Sequence, residues 1–349
     1  MCLRLSLGTM LGVAAVSASA LRAQAPSPAP GYRITGEIHV SGDDFWDYLT
    51  VDPAARRLYV SHGVRVQVLD LDHDSLVGEI PNTPGVHGIA LAPELGRGFT
   101  SNGRDSTVTV FDLGTLATIG RILVQGRNPD AIVYDPVSRR VFTMNGGSNS
   151  ATAIDPSAGT VLDTLPLGGR PEFAVADGQG RIYVNLEDRS ALVEFDSRTL
   201  AVKGRWPLSP CQEPTGLAID RIHRRLFAGC GNGVLVVIDA DSGRIVATLT
   251  IGDGVDGTGF DPGTGLAFSS NGDGTLTVIH EDGPEQFRVV ETASTRRGAR
   301  TMALDERTHR IYLSTAVLGS PPPPTAERPH PRPSIVPGSF VILELAPGN

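Results

Sequence analysis

The chain has 349 residues, of which 40% are hydrophobic and 19% charged, with 41 Gly, 26 Pro and a net charge of −8 at pH 7. It is too apolar for a disordered chain, too rich in Gly and Pro for a helical bundle, and lacks the three-residue glycine period of collagen. An acidic balance also argues against nucleic acid or an anionic membrane surface as partner, because both reward clustered positive charge.

Residues 1–25 read as a secretory signal. Arg4 precedes the apolar stretch Leu5–Val16, and small residues follow at Ser17, Ala18, Ser19, Ala20, Ala23 and Ala25. This order of basic, apolar and Ala-x-Ala regions predicts export to the periplasm or medium, with cleavage near 20–25. The mature chain, 26–349, then reads as one domain with no membrane span, and a monomer is expected.

Beyond the signal the chain repeats. A segment with an Asp before a turn, Arg-Arg, and an apolar-aromatic-apolar run occurs as Leu49–Val60, Ile132–Thr143 and Leu217–Ala228. Weaker copies bring the anchors to Asp52, Ala92, Asp135, Asp177, Asp220, Asp261 and Asp305, at intervals of 40 to 44 residues. Each copy divides into four short runs with period-2 alternation. In the fifth they are Gly216–Ile219, Arg225–Ala228, Val234–Asp239 and Ile245–Ile251, separated by turn residues. Four strands in about 42 residues is one blade of a β-propeller. The seventh copy (Thr301–Leu304, Arg310–Ser314, Ser339–Leu345) lacks a fourth strand, and an orphan strand, Arg33–Val40, lies at the other end. Its Gly36-Glu37-Ile38 matches Gly78-Glu79-Ile80 of the first blade. The prediction is an all-β, seven-bladed β-propeller, four antiparallel strands per blade, closed by the N-terminal strand in blade seven.

Leu58-Tyr59-Val60-Ser61, Arg181-Ile182-Tyr183-Val184-Asn185 and Arg310-Ile311-Tyr312-Leu313-Ser314, with turns such as Asp196–Thr199, carry a resemblance that covers nearly all of the mature chain. The chain resembles the YVTN-repeat, YncE-like seven-bladed propellers. That resemblance implies a binding scaffold and no particular reaction.

Propeller connectivity sorts the loops. Turns after the first and third strands of each blade share one face, here called the bottom, and bring Arg56, Arg97, Arg140, Arg224 and Arg225 among Asp70, Asp112, Asp155 and Asp239. Mutual pairing is expected there. Asp70-Leu71-Asp72-His73-Asp74-Ser75 echoes a calcium loop, but Ser75 and Pro81 stand where its Gly and Glu belong.

The opposite, top face is the candidate functional face. Counting five residues back from each anchor gives Asp47, His87, Asp130, Glu172, Thr215, Asp256 and Arg300, expected to ring the channel mouth with Trp46 beside them. Asp47, His87, Asp130 and Glu172 come from consecutive blades and could hold a divalent cation or position a polar ligand. Arg127, Arg170, Arg296 and Arg297 lie in the same crossings. A Pro-rich insertion, 318–338, interrupts blade seven on this face and is read either as a flap over the funnel or as a solvated loop or partner-docking arm. Cys211 and Cys230 both fall on the top face of blade five, which with export predicts a disulfide.

No Gly-x-Ser-x-Gly elbow, His-Glu-x-x-His, P-loop or Cys-x-x-Cys-His occurs. The leading expectation is an exported binding or interaction protein whose top face takes a small ligand or a protein partner. Two alternatives stand beside it. One is a metal-dependent, lactonase-like hydrolase using the funnel carboxylates, although such enzymes have six blades. The other is a periplasmic redox-enzyme partner subunit.

Overall fold

In the computed structural model, residues 29–325 and 333–348, with Met1, are described. The expected signal, 1–25, lies outside the described residues. No helix among them is long and apolar enough to cross a membrane.

Seven four-stranded antiparallel sheets form a ring. Blade one is β2 (Trp46–Asp52), β3 (Arg57–His62), β4 (Arg65–Asp70) and β5 (Ser75–Ile80), and the pattern continues to β25 (Gln286–Ser294) at the outer edge of blade six. The first strands pack against one another round the axis: β2 on β6 (Val86–Ala92), then β10 (Pro129–Asp135), β14 (Pro171–Ala176), β18 (Pro214–Asp220), β22 (Val255–Asp261), β26 (Met302–Asp305), and back to β2. Second and third strands are buried between neighbouring blades. Val234–Asp239, all apolar until its last residue, is one of them. Fourth strands half face water, and Val202–Pro207 alternates strictly.

Blade seven joins β26, β27 (Arg310–Thr315), β28 (Val341–Ala346) and, outermost, β1 (Arg33–His39). The register places Ile38 opposite Ile342 and Glu37 opposite Leu343. The expected closure by the N-terminal strand is therefore present, and it covers the edge that β28 would otherwise expose.

The recurrent Asp closes the first bottom turn of its blade. Asp52 Oδ1 accepts the N–H groups of Ala54 and Ala55 at 3.1 and 2.9 Å, an Asx turn that substitutes a side chain for a backbone acceptor. The Arg-Asp interleaving resolves only in part into ion pairs: Arg56 pairs with Asp72 and Asp305, Arg224 with Asp177 and Asp241, and Arg225 with Asp239, whereas Arg97 and Arg140 donate to the carbonyls of the next blade's turn, and Asp112 and Asp155 accept turn N–H groups. The segment that echoes a calcium loop is such a turn, with Asp70 Oδ1 accepting from the N–H groups of Asp72 and His73.

Cys211 and Cys230 are disulfide-bonded, Cα atoms 5.5 Å apart and both buried. The bridge ties the crossing into blade five to the end of β19 (Arg225–Cys230). Closing a loop of this length removes unfolded-state entropy worth about 3 kcal/mol. Replacing both cysteines by Ala should lower the urea-unfolding free energy by about that amount. An unchanged midpoint would refute a stabilising role.

Candidate functional site: the top mouth of the channel

A β-bulge places the mouth residues. In six of the seven innermost strands the ladder with the second strand shifts register just past the first residue: Trp46/Leu49, Val86/Ile89, Pro129/Ile132, Pro171/Ala174, Pro214/Leu217 and Val255/Gly257. Asp47, His87, Asp130, Glu172, Thr215 and Asp256 sit inside those shifts. A bulge bends the strand and re-aims side chains, so each of these six blades presents one residue at the equivalent place. Arg300, the seventh, stands just ahead of β26.

The second strand of one blade pins the mouth residue of the next. Ser61 donates to the His87 carbonyl, Ser101 to Asp130, Asn185 to Thr215 at 3.0 Å, and Ser270 to Arg300. These positioning residues were not read from the sequence, although Ser61, Ser101 and Ser270 recur at one place in their repeats.

Three of the expected ligands converge. His87 Nδ1 lies 2.5 Å from Asp47 Oδ2 and 3.7 Å from Asp130 Oδ1, and one donor atom from each residue falls within 4.8 Å of the other two. Glu172, also expected in that set, stands outside this group but close enough to act on it electrostatically. Across blades six and seven, Arg300 pairs with Asp256 at 3.2 Å. Thr215 commits its hydroxyl to the Val255 carbonyl at 3.0 Å. Trp46 packs on Phe340, ring centroids 5.1 Å apart, and borders the mouth beside Asp47, Arg300, Leu318 and Pro333.

Electrostatically the mouth is under tension. The Asp130 and Asp256 side chains are only 16% and 17% exposed, so their carboxylates are partly desolvated. Burial pushes Glu172 up to about 9, with Asp130 and Asp256 adding to the rise. Burial pushes Asp130 up to about 7, opposed by His87 and reinforced by Asp47. Asp256 rises to about 6 through burial, with Arg300 pulling the other way. Raised carboxyl values of this kind follow from burial beside other carboxylates, and they are frequent at functional sites.

Beneath the mouth the channel is plugged. Tyr48 of blade one reaches across the ring to Phe173 of blade four, centroids 5.1 Å apart. Both occupy the position directly after the mouth residue, where the other blades carry Gly88, Ala131, Gly216, Gly257 and Thr301. The alternation of five small residues and two aromatics was legible in the repeat and was missed. It makes the mouth a shallow cup, with Asp47, Tyr48, Phe173 and Asp256 around its floor.

A second recess of about 680 Å³ adjoins the cup between blades six and seven, walled by Arg296, Arg297, Arg300, Val317, Leu318 and Val341. The base of the Pro-rich insertion forms part of this wall. Leu318 bridges Ile335, and Gly319 N–H donates to the Ser334 carbonyl at 2.8 Å. The insertion is thus rooted at the mouth, while 326–332 lie outside the described residues. Two of the basic crossings are paired, Arg170 with Glu187 and Arg296 with Glu37.

Neither the protein-family patterns nor the curated proteins contain a match to this chain. Among solved structures it is similar to one described as "Structure of U3-55K", with a TM-score of 0.73 at 9% sequence identity, covering 90% of this chain and 99% of that one. The chain is a seven-bladed β-propeller. At that identity the likeness extends to architecture and no further.

Proposed function

We propose that this is an exported binding protein of the YVTN-repeat type, whose top cup takes a divalent cation and, through it, a small polar ligand. The observation that carries this reading is the convergence of Asp47, His87 and Asp130 within 4.8 Å at the open end of a plugged channel. Two carboxylates and an imidazole suit a first-row divalent ion. A bound cation would also relieve the tension on Asp130 and Glu172. The adjoining recess, within the usual size range of small-molecule sites, offers arginines to an anionic group on the same ligand. The buried disulfide supports an oxidising destination.

Thermal unfolding with and without Mn²⁺ tests the cation. Saturating Mn²⁺ should raise the wild-type Tm by several degrees, because an ion bound only by the folded state stabilises by mass action. Asp130→Asn should lose most of that rise. Equal Mn²⁺ responses in the two proteins would defeat the reading.

A further inference from the structure

We infer that the bottom face carries a second, separate metal site, for a divalent transition ion, formed by Asp220, His223 and Glu281 at the junction of blades five and six. The argument begins with a regularity of the ring. The last residue of the first bottom turn has a positive φ in every blade: Arg56, Gly96, Arg139, Gly180, Arg224, Gly265 and His309. Where that residue is basic and the preceding blade has an Asp anchor, it reaches back to that anchor. Arg56 meets Asp305, Arg224 meets Asp177 at 2.8 Å, and His309 meets Asp261 at 2.6 Å. The fold thus supplies a cation between blades.

At Asp220 the residue in that place is Gly265, and what comes instead is another carboxylate. The third strand of blade six, β24, runs Thr275–Gly283, nine residues against six in β20 (Val234–Asp239), and its extra length carries Glu281 to the junction. Glu281 N–H donates to the Gly265 carbonyl at 2.9 Å, which fixes the backbone there. Its side chain is 97% buried, and neither oxygen finds a hydrogen-bond partner outside the cluster it forms with Asp220 and His223. Nearby arginines are engaged elsewhere: Arg225 with Asp239 and the Pro284 carbonyl, Arg288 with Asp282, Arg244 with Glu285.

Among the described residues, His223 alone faces both acids. Its Nδ1 lies 2.8 Å from Asp220 Oδ2 and 3.0 Å from Glu281 Oε1. Tetrahedral zinc, with bonds of about 2.0–2.2 Å, holds its ligand atoms about 3.3–3.5 Å apart. Opening the cluster by about half an ångström would seat the ion. Two carboxylates then cancel its charge, and neutral imidazole donates its lone pair. His223 is half-exposed, so the remaining coordination position opens to water. Calcium, which requires six or more oxygen ligands, fits poorly.

The test uses Zn²⁺ and untagged protein carrying Asp47→Asn and Asp130→Asn, which silence the top cup. Competition calorimetry should find one ion per chain. His223→Gln, at an exposed position that tolerates change, and Glu281→Gln should each weaken binding at least tenfold. Co²⁺ should give a visible absorption band in the parent that His223→Gln removes. No ion bound by the parent, or equal affinity in His223→Gln, would overturn the proposal.

Discussion

Removing residues 29–40 should abolish cooperative folding. β1 pairs with β28 along its length, with one register shift between Ile34 and Gly36, and the segment holding it buries Tyr32, Ile38 and Val40. Tyr32 stands edge-on to Phe268 at 5.2 Å, and its hydroxyl donates to the His309 carbonyl at 2.9 Å. Ile38 and Val40 belong to the core shared with Leu58, Tyr312 and Phe340. At about 1.5–3 kcal/mol for each buried side chain, their loss alone is about 5–9 kcal/mol. That is of the order of the whole stability of an ordinary domain, about 5–15 kcal/mol. The truncated chain would also expose β28, whose Val341, Ile342, Leu343 and Leu345 are buried in the closed ring. Broad unfolding and association in size-exclusion chromatography are expected. Ile38→Ala is the graded version and should cost about 2–5 kcal/mol. A truncated protein with the wild-type urea midpoint would show that the ring does not depend on its clasp.

The second large effect is electrostatic, and its sign follows from the raised carboxyls of the mouth. Glu172 and Asp130 ionise at about 9 and 7 in the folded protein and near 4 in an unfolded chain. Below pH 4 both states hold these protons and the groups are neutral contributors. Above that the unfolded chain releases them first, so folding stability falls as pH rises, levelling off only beyond the folded values. Glu172→Gln removes the penalty. At pH 8 and without divalent ions it should raise stability by about 2–4 kcal/mol, and at pH 4 by almost nothing. Mn²⁺ should raise the wild-type Tm and narrow the gap to the variant. Thermal melts across this range decide the matter: a gap independent of pH would mean that Glu172 is ionised and unstrained.

Much of this molecule was legible as periodicity. The seven anchors marked the blades, the missing fourth strand of the last copy predicted β1 in blade seven, and counting back from each anchor reached the bulged position in six blades. Alignment of copies works here because each blade buries the same faces against the same neighbours, so one backbone path imposes one residue pattern on all. The cysteine pair was readable for the same reason, since both positions map to one end of one blade.

What lay beyond the sequence was how unlike residues at equivalent positions meet across the ring. Tyr48 and Phe173 are 125 positions apart in the chain, and their contact depends on the ring diameter. Glu281 reaches Asp220 only because one hairpin is longer than its counterparts. That Glu172 stays outside the Asp47–His87–Asp130 group is likewise a matter of side-chain reach. Local hydrogen bonding and alternation of apolar residues declare strands and blades over a few residues. The proximity of charges, and with it their protonation, follows from distances that exist only once all seven sheets have closed.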